Sequence, residues 1–215
     1  MSLRARGHWS GRNDVSWKYR QRKRTRLGGR EITFRPVTRE DFPLLYRWLV
    51  NPAVRAWWRS DTRTVGDVER EYGPQVDGSD ATRSFLILVA GQPTGMIQCY
   101  RHADYPGWQQ AVGVPPAAGI DYLIGEDGRR GRGIGSAAIA AFTAVVFGLY
   151  PEVGSIVSVP QRDNRASCRA LEKAGFTLLE ERELDSGHPS DAGISAVDGL
   201  DRMPPRSAPA SRQIP

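Results

Sequence analysis

Residues Arg129–Ser136 read Arg-Arg-Gly-Arg-Gly-Ile-Gly-Ser, and an apolar helical pattern from Ile134 to Leu149 begins inside them. Gly131, Gly133 and Gly135 occupy alternate positions, which lets the backbone approach a ligand closely and turn its N–H groups outward. The helix behind adds its own unpaired N–H groups and the positive end of its dipole. Arg129, Arg130 and Arg132 add fixed positive charge. The physical reading is a pyrophosphate cradle. On this stretch alone, a surface turn rich in arginine and glycine stays open as the plainer alternative.

Two common phosphate loops are excluded by the residues themselves. A nucleotide-hydrolysing loop needs Lys-Ser/Thr after its glycines, and no lysine follows here. The dinucleotide fingerprint Gly-x-Gly-x-x-Gly fails at Ser136, and it would open a βαβ unit near the start of a domain.

Outward from the loop, the pattern alternates between strands and helices. Gly119–Ile124 is a strand feeding the loop, and Pro106–Ala118 before it is a loop punctuated by proline and glycine. Ser84–Ala90 and Thr94–Tyr100 flank Gly91-Gln92-Pro93 as an antiparallel hairpin. Glu31–Val37 is a first strand. Thr38 with Asp41 signals a helix start, followed by the apolar stripe Phe42, Leu45, Trp48 and Leu49, with Trp48 read as core. Thr64 with Asp67 signals a second, short helix through Val68 to Tyr72. Downstream come a strand at Ser155–Val159, a helix at Asn164–Ala174 stopped by Gly175, and strands at Phe176–Leu184 and Ile194–Leu200. Asp198 and Gly199 are unusual in that last strand, where residues of high strand propensity are expected.

The chain has 215 residues, 40% of them hydrophobic, which suits one globular domain with tails. Its formal charge of +6 is unevenly distributed. Residues 1–30 hold ten Lys/Arg against Asp14 alone, +9, while the remainder holds 20 against 23 acids, −3. Residues 1–30 therefore read as a basic disordered arm, with Trp9, Trp17 and Tyr19 interspersed. Nucleic-acid contact by the arm and a start codon placed too far upstream are the alternatives. Residues 203–215, rich in proline, read as a disordered tail, leaving 31–202 as the folded domain. No apolar run approaches the ~20 residues of a bilayer span. Cys99 and Cys168 form no disulfide framework and fit a reducing cytoplasm. His8, His102 and His188 are far apart, and no metal site is expected.

Arg130, Gly133 and Gly135 satisfy Arg/Gln-x-x-Gly-x-Gly, and in this the loop resembles the acyl-coenzyme A loop of the Gcn5-related N-acetyltransferase (GNAT) superfamily. Three further segments narrow the likeness: Val54-Arg-Ala-Trp57-Trp58, Ala118-Gly119-Ile120-Asp121, and Asn164 through Gly175-Phe176. Together the chain is similar to the aminoglycoside 6'-N-acetyltransferases of that superfamily from about Ile32 to Phe176. The resemblance implies a GNAT fold of the mixed α/β (α+β) class. Its central sheet of about seven strands is splayed at the cofactor site and carries about four helices. It implies acetyl-CoA as co-substrate, a small polycationic amine as acceptor, and direct transfer without a covalent enzyme intermediate, in a monomer or dimer.

The resemblance also assigns roles. Asp121 is the catalytic carboxylate that orients and deprotonates the ammonium, since only the neutral amine is a nucleophile. A local backbone contact at a strand edge is the rival reading. Asp104, aligned across a one-residue gap, together with Trp57, Trp58, Trp108 and Tyr100, is assigned to substrate, with buried core as the alternative for one of Trp57 and Trp58. Leu123, Ile124, Arg129, Arg130, Gly131, Arg132, Gly133, Ile134, Gly135, Ser136 and Asn164 are assigned to the cofactor, Asn164 also reading as a helix N-cap. Two departures stand out. Leu171 stands where relatives carry a tyrosine serving the leaving thiolate, and Val159 where they carry an acid. They leave open a siderophore or other small-amine acyltransferase, and a non-catalytic CoA- or drug-binding protein.

Overall fold

A computed structural model of the protein describes residues 25–58, 61–184 and 193–202. Eight strands form one sheet in the order β1-β2-β3-β4-β5-β6-β8-β7. They are β1 (Thr25–Leu27), β2 (Arg30–Pro36), β3 (Arg83–Val89), β4 (Gln92–Arg101), β5 (Ala117–Ile124), β6 (Ser155–Ser158), β7 (Thr177–Glu183) and β8 (Ile194–Asp201). Six helices accompany them: α1 (Phe42–Leu49), α2 (Pro52–Trp58), α3 (Val65–Asp77), α4 (Pro106–Val112), α5 (Ile134–Leu149) and α6 (Arg165–Lys173). The class is the mixed α/β expected.

Every neighbouring pair is antiparallel except β5–β6. That one parallel pairing is short, matching Ala117, Ala118 and Gly119 with Ser155, Ile156 and Val157. Beyond Gly119, β5 continues for five residues with no strand on that side among the described residues, and β6 ends at Ser158. The sheet therefore splits at its centre, and this split makes the site.

Both faces of the central strands β3, β4 and β5 are largely buried, so alternate residues of one strand enter different cores. Phe85, Ile87, Ile97 and Ile120 pack with Ile139, Phe142 and Leu171 under α5 and α6. Leu86, Met96 and Leu123 pack with Phe42, Leu45, Trp48, Val68 and Tyr72 under α1 and α3. A smaller core of Val112, Val157, Leu184 and Val197 lies beneath α4.

Three expectations are corrected. The arm was expected to run to residue 30, but Gly28 and Gly29, both at positive φ, turn Thr25–Leu27 back onto β2. The stretch Pro106–Ala118 is not a loop throughout. Pro106 suits the first position of α4, Gly113 ends it, and Val112 anchors it, while Ala117 and Ala118 already belong to β5. The segment Val54–Trp58 is itself helical. The short helix after Thr64 runs on to Asp77 through an internal Pro74, because its capping box fixes the start and left-handed Gly78 supplies the stop. Residues 1–24 and the tail from 203 lie outside the described residues. Among the described residues no helix is long and apolar enough to cross a membrane.

Candidate active site

The split opens a cleft of about 870 Å³ that runs from the glycine loop to the α2–α4 side of the sheet. Its walls come from β5, the loop, α6, and the segments around α2 and α3. Charge is divided along it. Arg129, Arg130, Arg169 and Lys173 line one end, and Asp61, Glu71 and Asp121 the other.

At the basic end, Gly131 and Gly133 adopt φ of 71° and 76°, and Gly133 is the residue from which α5 starts. No heavy atom lies within 4 Å of where a Gly131 side chain would be, and at Gly133 only Leu27 of β1 comes near, at 3.8 Å. Gly135 has ordinary φ, and a Cβ there would meet Ala170 and Ile124 at 3.9 and 4.0 Å. The space over the loop is thus kept clear of side chains while N–H groups of the first turn of α5 face it. That is what a pyrophosphate needs.

The Arg130 guanidinium is engaged by the loop itself. It donates to the carbonyls of Ile124 (2.8 Å) and Gly125 (3.1 Å) and to the Asp127 carboxylate (2.8 Å). It shapes the end of β5. Trp48 holds the same corner from the other face. Its indole fills the space where a Gly125 side chain would project, and its Nε1 donates to Glu126 at 2.9 Å. Burial of Trp48 follows the expectation. The Thr94 carbonyl accepts from the N–H groups of both Gly125 and Glu126.

At the acidic end, Asp121 sits in register with Gln98 of β4, whose amide donates to it at 2.9 Å. Tyr100 lies over Gly119, where a Cβ would fall 2.4 Å from the ring, so only glycine permits this packing. The Tyr100 ring stacks on His102 and meets Tyr105 edge-on. Trp57 is 43% exposed at the rim, Trp58 packs against the α1–α3 core, and Trp108 packs against the smaller core. At the N-terminus of α6, Asn164 accepts the Ser167 N–H at 3.2 Å as an N-cap, and its side chain also borders the cleft.

The structure brings Asp121, Trp57, Trp58, Tyr100 and Trp108 to one end of the cleft. Leu123, Ile124, Arg129, Arg130, Gly131, Gly133, Ile134, Gly135, Ser136 and Asn164 line the rest of it. Asp104 and Arg132 are not among its lining residues. Asp104 is paired with Arg101 through two hydrogen bonds, at 2.8 and 2.7 Å. Sequence reading missed Asp61, Glu71, Gln98, Ser167, Arg169 and Lys173. Arg169 and Lys173 are spaced i, i+4 on α6 and so share a face, a signal that was present in the sequence. Glu71 gave none, because no local pattern reports which face of α3 meets the cleft. Leu171 is fully buried under α5 and does not reach the cleft, whereas Val159 lines it.

The sequence model of one family, the acetyltransferase (GNAT) domain, matches residues 37–184. Among curated proteins, an aminoglycoside N(6')-acetyltransferase type 1 from Klebsiella pneumoniae is 30% identical over 148 residues, 67% of this chain and 73% of that protein. Among solved structures, AAC(6')-Ib in complex with paromomycin and acetyl-CoA superposes with a TM-score of 0.69 at 27% identity, covering 80% of this chain and 93% of its own. The complex of that enzyme with coenzyme A and kanamycin gives the same TM-score and identity, with 95% of its chain covered.

Proposed function

This chain belongs to the acetyltransferase (GNAT) domain family, and from that premise we propose that it transfers the acetyl group of acetyl-CoA to the 6'-amino group of an aminoglycoside. One observation carries the reading: a glycine-loop cradle and a carboxylate lie at opposite ends of one cleft, joined through the split between β5 and β6. The relatives of the preceding section, named for this reaction or solved with its ligands, support it.

In this reading the backbone N–H groups from Gly131 to Ser136 hold the pyrophosphate, aided by Arg129, Arg169 and Lys173. Bound acetyl-CoA supplies an activated acyl group. Leu123 and Ile124 on the open edge of β5 guide its arm, with Asn164 opposite. Asp121, aimed by Gln98, holds the acceptor ammonium and takes its proton. Asp61 and Glu71 attract the remaining positive charges of a polyamine, and Trp57, Trp58, Trp108 and Tyr100 offer flat faces to its rings. Asp104, tied to Arg101, contributes at most through the α4 segment it precedes.

A second reading, a smaller amine acceptor such as a siderophore lysine, is favoured by Val159 and by the engagement of Asp104 outside the cleft. Both leave fewer anchors for a polycation. Thiol release measured with kanamycin, tobramycin, amikacin and lysine-type amines separates the two. Release with the aminoglycosides supports the first reading, and release with lysine-type amines alone replaces it with the second.

A further inference from the structure

Asp121 and Tyr122 are consecutive on β5 and so point to opposite faces of the sheet. Asp121 is on the α1–α3 side with Gln98. Tyr122 is on the α5–α6 side, packed against the core there. Its hydroxyl lies 2.6 Å from Ser167 Oγ, where either oxygen can donate, and 3.2 Å from the Ser167 carbonyl, a weaker alternative acceptor for the same hydrogen. A sheet ordinarily separates such residues. Here β6 has left β5 at Gly119, and Asp121, Tyr122 and Ser167 all border one cleft.

The acyl-transfer reading, on which this inference rests, fixes where the sulfur must lie. The pyrophosphate is held at Gly131–Ser136, and the amine at Asp121. The arm between them would follow the open edge of β5 past Ile124 and Leu123 on the α5–α6 side. The sulfur, one bond from the acyl carbon, would then lie near residues 121–122 on that side. Two hydroxyl groups meet there, those of Tyr122 and Ser167. Leu171, one turn further along α6, is fully buried and has no proton to offer.

We propose that Tyr122 and Ser167 form a hydroxyl pair that stabilises the departing sulfur, Ser167 donating to it and Tyr122 orienting Ser167. The lone pair of the neutral amine forms the C–N bond, and the C–S electron pair leaves on sulfur. Before attack the ammonium proton passes through Asp121 to solvent, and the proton that the nitrogen sheds on becoming an amide is then taken by Asp121. The Tyr122 O–H donates to Ser167 Oγ, whose own hydrogen turns into the cleft towards the sulfur. Neither hydroxyl gives up its proton, and solvent protonates the thiolate on release. Burial pushes the Tyr122 phenol well up, against the opposing effect of its bond to Ser167, so it stays neutral throughout the working range.

The test titrates the thiol of bound coenzyme A by thiolate absorbance, as the difference between CoA-loaded and unloaded protein. Three proteins are compared: the parent, Tyr122→Phe and Ser167→Ala. The titratable groups facing the pair are Asp121 on β5, Cys168 on α6 and Asp198 on β8, and none of them is altered. In the parent, bound thiol should titrate roughly one unit below free coenzyme A titrated alongside. Each variant should move it back towards the free value, while Ser167→Thr, which keeps the hydroxyl, should not. Turnover should fall roughly tenfold in the two variants with KM for acetyl-CoA unchanged. Identical thiol titration in all three proteins overturns the proposal while leaving acyl transfer intact. Failure of the parent to bind coenzyme A overturns both.

Discussion

The Gln98 side-chain amide donates a 2.9 Å hydrogen bond to Asp121 directly across the β4–β5 ladder. The pair is cross-strand and in register, so the carboxylate direction is set by two rigid strands and not by a loop. Asp121→Asn keeps the shape and removes the charge. Turnover efficiency should fall at least ~100-fold, the lower end of a general-base contribution, with coenzyme A affinity retained by calorimetry. Parent-like turnover in the asparagine variant would remove Asp121 from the mechanism.

Gly133 and Gly135 should respond to valine for different reasons. Gly133 has φ of 76°, so any side chain there strains the backbone by about 1–2 kcal/mol and disturbs the start of α5. At Gly135 the backbone is ordinary and the added atoms meet Ala170 and Ile124, occupying space the cofactor would use. Both variants should lose acetyl-CoA binding, but only Gly133→Val should also lower the melting temperature. Unchanged coenzyme A affinity in both would show that the loop is not the cradle.

Arg130→Ala tests whether this arginine shapes the loop or contacts phosphate. Its guanidinium is bound to Ile124, Gly125 and Asp127, and hydrogen bonds of that kind contribute about 1 kcal/mol each. Coenzyme A affinity should weaken modestly and by the same factor at low and high salt. A loss that disappears in high salt would instead mark direct phosphate contact.

Two buried groups set opposing pH dependences. His102 is fully buried and neither ring nitrogen has a partner among the described residues, and burial lowers its pKa from 6.5 to about 4. Between those values the unfolded chain binds the extra proton, so stability rises with pH. The contribution, on the order of 3 kcal/mol, is complete above about pH 6.5 and lost as pH falls through 4. Asp198 has the opposite sign. Burial first, then Glu181, raises its pKa from 3.8 to about 6, so the folded state holds the proton and stability falls as pH rises through that window. Urea midpoints at pH 5 and 7 should show Asp198→Asn gaining stability at pH 7. His102→Phe should lose the acid sensitivity between pH 6.5 and 4. If both variants keep the parent's pH profile, neither group is the cause.

Much was legible in the sequence because its signals are local. Gly131–Gly135 ahead of an apolar helix gave the open glycine loop at the start of α5, since backbone freedom and helix-end N–H groups depend on a few adjacent residues. Ile134–Leu149 has the same bounds in the structure as in the sequence reading, and the hairpin at Gly91 is one residue tighter, turning on Ala90-Gly91. The α4 helix was missed because proline and glycine were read as breakers without regard to position, although Pro106 opens the helix and Gly113 closes it.

What only the tertiary structure decided concerns pairs distant in sequence. No local pattern reports that β6 parts from β5 at Gly119, because strand pairing is a property of two segments 38 residues apart at Gly119 and Val157. From that split follow the joining of the two faces, the meeting of Tyr122 with Ser167 and the presence of Glu71 and Asp121 in one cleft. The same holds for Asp104, whose sequence position suggested a substrate contact and whose carboxylate is held by Arg101. The sequence by itself determined which chemistry the chain carries. Long-range packing decided which of those side chains face a common space, because a side chain's direction is set by its strand's neighbours as well as by its own residue type.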